Sequence, residues 1–405
     1  MDAKKSDKTV STPDIAGSLT WIGPIDRDSP TLGLPTVDGV RRTTLYAPGP
    51  DDDSFSHHGY ITHHNGALFA TWSNHARDED AAGQRVRFSL STNKGATWRE
   101  PVELFPPHDR AKLRAEQDVV RDRVVIANGF AVVDDTLYAI AEVHTLGERR
   151  DTTPPPGIAP PSDAESRTFS CRPGLGRLAR SLDTKGKTGP IFWLVDNPPP
   201  PLPNFPSYPR ATEPAFRDLA RAINAYLARP EHWPTWDFVH QTTRPWAPDG
   251  HRLCEPTQAW TLPDGSMARL WRDLTHGSGV QYAQIRPAQT TDWAPPVRTD
   301  FPDAYSRAAA GNLPGGTAYV INNPGRGRDP IVISLAADGL TFDRHAVLAA
   351  GAPPRRFEGV AKGPGFQYPR ATVVDETLFV IYSVNKEDME VAAIRLKDLY
   401  ALERQ

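Results

Sequence analysis

The sequence predicts an all-β fold, a β-propeller with about six or seven blades and a short helical insertion. Two observations support this prediction. Forty-one prolines, thirty glycines and ten tryptophans in 405 residues are typical of many short strands joined by turns. In addition, five segments repeat one pattern, in which an apolar strand meets a tight turn and a second apolar strand runs into polar residues.

The turns of these five repeats carry residues that suit tight hairpins, several of them tolerant of positive φ angles. They lie at Asn65-Gly66, Asp134-Asp135, Asp264-Gly265, Gly315-Gly316 and Asp375-Glu376. A single hairpin cannot bury both of its faces, whereas four-stranded blades stacked around an axis bury them against each other. The long gap between the second and third turns leaves room for a further blade. The N-terminal strand RRTTLYAP would close another, which gives the predicted blade number.

The chain divides into an N-terminal segment over residues 1–40 and a single propeller domain over 41–405. Two insertions interrupt the domain, at about 151–170 and 197–245. The first is proline-rich and is predicted to be a surface loop. The second contains a stretch from Ala215 to Arg229 with helical apolar spacing, which predicts a helix between two blades.

Composition and charge exclude several classes of protein. Hydrophobic residues make up 39% of the chain and charged residues 23%, so the chain is not disordered. A net charge of -3 gives no reason to expect nucleic acid or a membrane as partner, and we expect a monomer that binds an oligo- or polysaccharide. The N-terminal residues lack an apolar signal region, and two cysteines cannot form a disulfide framework. We therefore expect a cytoplasmic protein, or a secreted one if an export signal has been removed.

Polar residues are predicted to converge at one mouth of the propeller. In a hairpin, the start of the first strand and the end of the second lie at the same end, opposite the turn. A cluster of polar groups there is typical of a carbohydrate or small-molecule site. The alternative is that they are solvated strand ends and turn caps. The residues concerned are His57, His58, Asn74, His75, Asn128, His144, Glu255, Arg272, Arg307, Gln367, Tyr368 and Lys386.

Histidines are the leading catalytic candidates among these residues. The imidazole pKa lies near neutrality, so this side chain serves as an acid or a base. His57 or His58, together with His75, is predicted to act in this way. His63 and His64 adjoin the turn at the opposite end and are predicted to be surface residues.

A hairpin motif indicates the kind of propeller. Residues Ser91 to Trp98 match the Asp-box pattern S-x-D-x-G-x-x-W, except that Asn93 replaces the aspartate. A shorter version runs from Asp338 to Phe342. In this motif the polar turn connects the hairpin and the aromatic residue packs beneath it, so the motif indicates fold and not chemistry.

The first repeat and the near Asp box resemble the first blade of the sialidase-like propellers that include L-rhamnose-α-1,4-D-glucuronate lyases and related rhamnosidases. More distantly, the chain is similar to ulvan lyases. The segments that carry the resemblance run from about residue 40 to the C-terminus: His57-His58 to Asn74, Glu79-Asp80, Gly83-Gln84-Arg85, GRLAR, LCEPTQAW, RLWRD and YSVNKED.

The resemblance implies a polysaccharide lyase that cleaves a rhamnose-glucuronate linkage by histidine-assisted β-elimination. Such a reaction needs a base for the α-proton, an acid for the departing oxygen and donors that hold the uronate carboxylate. His57 or His58 with His75 would supply base and acid, and Tyr368 is a possible phenolic partner. Arg172, which is grouped with the catalytic residues, Arg272 or Arg307 would hold the uronate carboxylate through a bidentate pair of hydrogen bonds. The alternative for Arg172 is a surface or structural role. The other predicted substrate contacts are Asn74, Gln84, Arg85, His144, Glu255, Gln367 and Lys386.

Two other functions stay open. A glycoside hydrolase, either a rhamnosidase or a sialidase-like enzyme, would use the same propeller, with Glu255 and Asp273 as a possible carboxylate pair. Sialidases use three arginines, a tyrosine-glutamate nucleophile pair and usually an N-terminal F/Y-R-I-P tetrapeptide, which this chain lacks. Hydrolysis of sialic acid is therefore the less favoured form of this alternative. The further alternative is a glycan-binding propeller without catalysis.

The chemistry requires no cofactor, but a structural zinc site is possible. His251, Cys254 and Cys171, with His240 as an optional fourth ligand, provide the thiolate and imidazole groups that zinc prefers. The alternative is a pair of buried free cysteines.

Overall fold

The computed structural model describes residues 19–81, 83–107, 123–145, 150–151, 170–171, 174–198, 207–234, 245–275 and 278–405. These residues form five antiparallel sheets of four or five strands. In each sheet the strands follow one another from the central axis to the outer edge, and the five sheets are the blades of a β-propeller. The inner strands of most neighbouring blades contact one another around the axis. The all-β propeller prediction is confirmed.

Blades 1 and 2 follow each other along the chain. Their inner hairpins turn at Asn65-Gly66 and at Asp134-Asp135, and all four turn residues have positive φ angles, as the sequence predicts. A two-stranded ladder of β9 and β10 follows the second strand of blade 2. The strands are β3 (Phe55–His64), β4 (Ala67–His75), β5 (Arg85–Ser91), β6 (Val102–Phe105), β7 (Arg123–Val133), β8 (Thr136–Thr145), β9 (Arg150–Asp151), β10 (Ser170–Cys171), β11 (Gly174–Leu182) and β12 (Phe192–Trp193).

Blades 3 and 4 come next. The inner strand of blade 3 is interrupted, so that two short segments, β13 and β14, both pair with β15. An N-terminal strand, β1 (Thr20–Trp21), pairs in parallel with β21 beside blade 4. The strands are β13 (Leu253–Cys254), β14 (Trp260–Thr261), β15 (Met267–Asp273), β16 (Val280–Arg286), β17 (Val297–Pro302), β18 (Ala309–Asn312), β19 (Ala318–Asn322), β20 (Ile331–Ala336), β21 (Thr341–Phe342) and β22 (Arg344–Ala349).

Blade 5 joins the two ends of the chain. Its three C-terminal strands are β23 (Phe366–Val374), β24 (Thr377–Val384) and β25 (Asp388–Arg395), and its outer strand is β2 (Arg41–Tyr46). The first and last parts of the domain therefore pair through backbone hydrogen bonds, which closes the ring. A short helix, α2 (Leu396–Tyr400), follows the last strand.

The prediction of six or seven blades is wrong, because the part of the chain that the structure describes forms five. The N-terminal strand RRTTLYAP does not begin a blade of its own, because it is the outer strand of blade 5. The long gap between the second and third turns contains no complete further sheet among its described residues. It contains the outer strands of blade 2 and the helical insertion instead.

The predicted helical insertion is confirmed as α1 (Arg217–Leu227). Ala220, Ile223 and Leu227 form its buried face, which packs against apolar residues of blade 2. The remaining hydrophobic core lies mainly between neighbouring blades. Among the described residues, no helix has the length and apolar character needed to cross a membrane.

The near Asp box connects the outer hairpin of blade 1. Asn93 Oδ1 accepts a hydrogen bond from Thr97 N at 2.9 Å, while Ser91 Oγ accepts one from Gly95 N at 2.9 Å. The amide oxygen of Asn93 thus takes the place of an aspartate oxygen in the turn. In the second copy, Asp338 Oδ1 accepts hydrogen bonds from the backbone N–H groups of Leu340 and Thr341. Both motifs are structural, as the sequence predicts.

Candidate active site

A backbone irregularity recurs in the inner strands where they approach the mouth. The pairing shifts between His57 and Tyr60 in blade 1, between Ala127 and Phe130 in blade 2, and between Gln367 and Arg370 in blade 5. A β-bulge adds a residue to one strand and redirects its side chain. The bulges in blades 1 and 5 place His58 and Tyr368 at φ angles of 56°.

Blades 3 and 4 carry similar strained residues, Glu255 at φ 51° and Tyr305 at φ 55°. Positive φ angles are uncommon for residues other than glycine, and they cluster at functional sites because the surrounding structure must maintain them. The strained residues thus mark the centre of the propeller as the candidate site.

Tyr368, Glu255 and Arg272 form a hydrogen-bonded group that we call the channel trio. The Tyr368 hydroxyl donates to Glu255 Oε1 at 3.2 Å and accepts from Arg272 Nη1 at 2.9 Å, and Arg272 Nη1 also lies 2.8 Å from Glu255 Oε2. Burial and then the Glu255 carboxylate raise the pKa of Tyr368. Burial would lower the pKa of Arg272, but Glu255 and Tyr368 outweigh it and hold that pKa well above its usual value. The trio is therefore a protonated phenol held between a carboxylate and a permanent cation.

Two further arginines surround the Tyr368 ring. The Cζ atom of Arg328 lies 5.6 Å from the ring centroid, and that of Arg307 lies 5.4 Å from it. Arg328 donates hydrogen bonds to Gln367 Oε1 and to the backbone oxygen of Tyr305. Together with Arg272, three guanidinium groups lie around one phenol. Such a concentration of positive charge favours an anionic ligand, because guanidinium groups bind carboxylates through paired hydrogen bonds.

On the blade 1 side, His58 and Glu79 form a second hydrogen-bonded group. His58 Nδ1 lies 3.0 Å from Ser73 Oγ, and its Nε2 lies 2.8 Å from Glu79 Oε1. The other oxygen of Glu79 accepts from the ammonium group of Lys386. Burial would raise the pKa of Glu79, but Lys386 and His58 lower it well below the usual value. Glu79 is therefore ionised, and it orients the His58 ring.

His57 differs from its neighbour in having an imidazole nitrogen that no described residue occupies. Its Nδ1 lies 2.7 Å from Ser383 Oγ, while its buried Nε2 makes no hydrogen bond within the described part of the chain. The ring centroid lies 4.2 Å from that of Tyr368. Burial, and then the charges of Lys386 and His58, lower the pKa of His57 well below 6.5. His57 is therefore a neutral imidazole at physiological pH.

The structure places His75 and Asn74 at the same mouth but engages them in the loops of blade 1. His75 Nδ1 accepts hydrogen bonds from the backbone N–H groups of Arg77 and Asp78 at 3.2 and 3.0 Å. Asn74 Nδ2 donates to the backbone oxygen of Phe55 at 2.9 Å. We therefore leave His75 out of the catalytic group, since its Nδ1 closes a loop.

Other predicted substrate contacts also make structural interactions. Gln84 is fully buried and donates to the backbone oxygen of Val125, which connects blades 1 and 2. Arg85 pairs with Asp53 at 2.6 Å, and His144 Nε2 lies 3.6 Å from Asp80 Oδ1. Gln367 and Lys386, in contrast, bind Arg328 and Glu79 at the centre. His64 lies at the turn, where its Nε2 contacts the backbone oxygen of Asp135.

The two carboxylates that the sequence suggests as a pair, Glu255 and Asp273, belong to different hydrogen-bonded groups. Glu255 is held by Arg272 and Tyr368, whereas Asp273 Oδ2 lies 3.0 Å from His251 Nδ1 and also accepts from Ser278 Oγ at 2.7 Å. Asp273 therefore belongs to a loop cluster and not to the channel trio.

The zinc prediction stays a prediction. Cys254 is buried, and His251 uses Nδ1 for Asp273. Arg172, His240 and the side chain of Cys171 lie outside the described residues.

One cluster of the described residues has metal-ligand geometry. The ligand atoms of His57, His58 and Glu79 lie within 4.8 Å of one another. The ammonium group of Lys386 already pairs with Glu79, and His58 Nε2 binds the same carboxylate. A divalent cation would have to displace Lys386, so the cluster fits hydrogen bonding better than metal binding.

Sequence reasoning missed several residues of this centre, namely the roles of Ser73, Glu79, Asp303, Arg328, Arg370 and Ser383. A sequence signal exists for the bulges, because glycine or proline follows His58, Asn128, Glu255 and Tyr368. No comparable local signal marks Arg328, which lies in a loop beyond the second strand of blade 4.

Comparison with known proteins gives one family-level match. A model described as a BNR repeat-like domain matches residues 219–381, which is fewer than half of the residues in the chain. A comparison with curated proteins finds no significant match.

Several solved structures share the fold. A sialidase superposes with a TM-score of 0.72 at 22% identity, covering 93% of this chain and 35% of that protein. A Hadza microbial sialidase gives 0.53 at 14% identity, covering 88% of this chain and 68% of the other. A leech intramolecular trans-sialidase, complexed with 2,7-anhydro-Neu5Ac, gives 0.53 at 10% identity, covering 89% and 71%. The chain spans about a third of the length of the first of these proteins. At these identities the likeness concerns the fold, which is that of the sialidase-like β-propellers.

Proposed function

We propose that the protein is a retaining glycoside hydrolase that removes a terminal acidic sugar from a glycan. Tyr368 is the proposed nucleophile and Glu255 its base. The observation that carries this proposal is the channel trio, in which the phenol contacts both a carboxylate and a guanidinium group. A phenol whose pKa is raised is a weak nucleophile until a neighbouring base takes its proton. Glu255 is placed to do so as the phenol attacks.

In the first step, the Tyr368 oxygen bonds to the anomeric carbon and its proton passes to Glu255. The glycosidic C–O bond breaks, and the departing oxygen takes a proton from solvent. In the second step, water attacks the anomeric carbon and releases a proton to solvent. The bond to Tyr368 breaks, and Glu255 returns its proton to the phenol. The arginine beside the phenol stabilises negative charge on its oxygen in both steps.

The arginines support an acidic sugar as substrate. Arg272 is fixed by Glu255, and Arg328 by Gln367, so the guanidinium groups are oriented before the substrate binds. A carboxylate next to the anomeric carbon would lie among them while the phenol faces that carbon. The structural relatives named sialidases make sialic acid the first sugar to test. The missing F/Y-R-I-P tetrapeptide argued against this substrate, whereas the tyrosine-glutamate pair and the arginines argue for it.

The test is an assay with fluorogenic aryl glycosides of sialic acid, glucuronic acid and rhamnose. We expect release of the fluorophore from an acidic sugar, with retention of anomeric configuration. A fluorinated sugar that slows the second step should label the enzyme covalently, and mass spectrometry should locate the label on the peptide that contains Tyr368. Hydrolysis with inversion, or a label on another residue, would contradict the proposed mechanism. Binding without turnover of any glycoside would favour a glycan-binding propeller.

A polysaccharide lyase is the second candidate, and it rests on His57. A neutral imidazole with a lowered pKa and an Nε2 that no described residue occupies suits a base that removes the α-proton of a uronate. The C–O bond at C4 would break, a C4–C5 double bond would form, and the phenol of Tyr368 would protonate the departing oxygen. Incubation with a rhamnose-glucuronate glycan tests this reaction, because the unsaturated uronate absorbs in the ultraviolet and a hydrolysis product does not.

A further inference from the structure

Two arginines in the centre of the propeller are buried with almost no access to solvent. Arg307 is 0% exposed and Arg370 is 2% exposed. The Cζ atom of Arg307 lies 5.0 Å from the centroid of the Tyr60 ring, and that of Arg370 lies 5.1 Å from the same centroid. Because Arg307 also adjoins Tyr368, the groups form a column of alternating phenol and guanidinium, which we call the arginine column.

Neither guanidinium group of the column has a negatively charged partner in the described part of the chain, and the uncharged hydroxyl of Tyr60 is an acceptor beside Arg370. The Nε and both Nη atoms of Arg307 and of Arg370 are buried without a hydrogen bond, and neither residue forms an ion pair with a described carboxylate. Arg272, only one ring away, is by comparison paired with Glu255. Burial, and then the charge of Arg307, lower the pKa of Arg370 to about 9, so the Arg370 guanidinium is still a cation at neutral pH.

The aromatic rings do not satisfy these cations completely. A ring face attracts a guanidinium group, but the N–H donors lie in the plane of the group and remain available for acceptors. Two buried charges of the same sign, without a counter-charge, are strongly unfavourable. The arginine column therefore requires a negatively charged acceptor near its two cations.

We propose that Arg307 and Arg370 hold a small monovalent inorganic anion, a halide such as chloride, beside Tyr60. Burial of both residues favours a small ligand over one as large as a sugar at this position. A spherical, weakly hydrated anion gives up its water easily and accepts hydrogen bonds from several directions. Arg307 also adjoins Tyr368, but Arg370 and Tyr60 have no part in the proposed hydrolase, so either proposal can fail without the other. The alternative source of negative charge is the carboxylate of a bound sugar.

Thermal unfolding in different salts tests the proposal. The full-length protein would be unfolded in sodium isethionate, whose anion is too large for the site, and in mixtures with sodium bromide at constant ionic strength. We expect bromide to raise the Tm by at least about 3 °C and the rise to saturate, because an anion that binds only the folded protein stabilises it by mass action. A linear response or none at all would overturn the proposal.

Two variants locate the effect. Arg370→Gln removes one cation of the column and should reduce the bromide-dependent rise by at least half. Arg269→Gln is the matched control, because Arg269 is a partly buried arginine that stacks on a tryptophan but is already hydrogen-bonded to Gln284. This control should retain the whole rise. An equal rise in the wild type and in Arg370→Gln would contradict an anion at this position.

If the variants do not fold, a crystal of the wild-type protein grown in bromide can locate the anion directly by its anomalous scattering. We expect an anomalous peak between the guanidinium groups of Arg307 and Arg370. The absence of a peak there would overturn the proposal. Loss of the peak after soaking with N-acetylneuraminic acid would overturn it as well, in favour of a site for the sugar carboxylate.

Discussion

Tyrosine, glutamate and arginine meet twice in this protein, with nearly the same contacts. In the channel trio, the tyrosine-glutamate and arginine-glutamate distances are 3.2 and 2.8 Å. In a second group, which we call the flank trio, they are 3.1 and 2.8 Å. Burial and then the glutamate raise the pKa of the tyrosine in both groups. The channel trio is Tyr368, Glu255 and Arg272, and the flank trio is Tyr382, Glu390 and Arg42.

The two trios differ in backbone and in surroundings. Tyr382 and Glu390 face each other in regular register on adjacent strands of blade 5, and the Arg42 side chain is 39% exposed. Tyr368 and Glu255 come from different blades, and both have strained positive φ angles. The flank trio therefore forms on regular sheet backbone without strain. The channel trio requires strained backbone at two residues, which the surrounding propeller must maintain. The contacts alone therefore do not mark a site, whereas position on the propeller axis and backbone strain do.

Removing the tyrosine hydroxyl from each trio in turn should produce the largest difference in activity between the two groups. Tyr368→Phe should lower turnover of an acidic aryl glycoside by at least about 10³-fold, because the nucleophile is lost. Tyr382→Phe should leave turnover unchanged within about twofold, although it removes the same group from the same kind of pair. Steady-state kinetics on both variants measure the difference. Equal activities would remove the functional distinction between the trios.

A smaller effect is expected from the glutamates. Glu255→Gln keeps the hydrogen-bonding shape but cannot take the phenol proton, so we expect kcat to fall by about 10²- to 10³-fold. Glu390→Gln should not change kcat, and it should lower the free energy of unfolding by no more than about 1 kcal/mol, since Arg42 is partly exposed. Kinetics and chemical denaturation provide the two measurements. A normal kcat in Glu255→Gln would exclude this residue as the base.

Substitutions of the two trio arginines should show which of them contributes to substrate binding and which has only a structural role. Arg272→Lys keeps the charge but loses the planar pair of donors that serves Glu255 and Tyr368. We expect kcat/KM for an acidic glycoside to fall by about 10- to 100-fold, equivalent to about 1.5–3 kcal/mol for a hydrogen bond to a charged group. Arg42→Lys should not alter kcat/KM. If Arg272→Lys impaired acidic and neutral glycosides equally, the role of this arginine in carboxylate binding would be refuted.

The sequence predicts the hairpins of the fold because their signals are local. Turn residues with positive φ, such as Asn65 and Asp134, follow apolar strands, and both motifs of the Asp-box type lie within a few residues. The blade number depends on a long-range pairing instead. The strand Arg41–Tyr46 could begin a blade or complete the last one. Its partner, which lies near the opposite end of the sequence, decides between the two.

The candidate site is predicted in part for the same reason. Hairpin geometry assigns His57, His58 and Tyr368 to one mouth, since that argument uses only the distance from a turn. It does not indicate that Tyr368 contacts Glu255, because this contact joins blades 3 and 5. Nor does it distinguish His75, which caps a loop, from His57, whose Nε2 has no partner among the described residues.

The smallest expected effect is a change in thermal stability caused by Asp303. This buried carboxyl group lies close enough to Arg272 of the channel trio to feel its charge. Burial raises its pKa to about 7, and Gln281, Arg272 and Arg328 offset this only in part. Because the folded-state pKa lies above the unfolded value, the folded protein binds the proton more tightly. Stability from this group is therefore fully present below about pH 4 and is lost as the pH rises through about 7.

Asp303→Asn mimics the protonated form at every pH. We therefore expect the variant to unfold at a Tm at least about 3 °C above that of the wild type at pH 8. At pH 4 the two proteins should differ by less than about 1 °C. Calorimetry at both pH values measures these shifts, and the same difference at both would show that ionisation of Asp303 does not oppose folding. A pH-dependent gain would instead identify a group near the channel trio that favours protonation in the folded state, a property that the flank trio does not share.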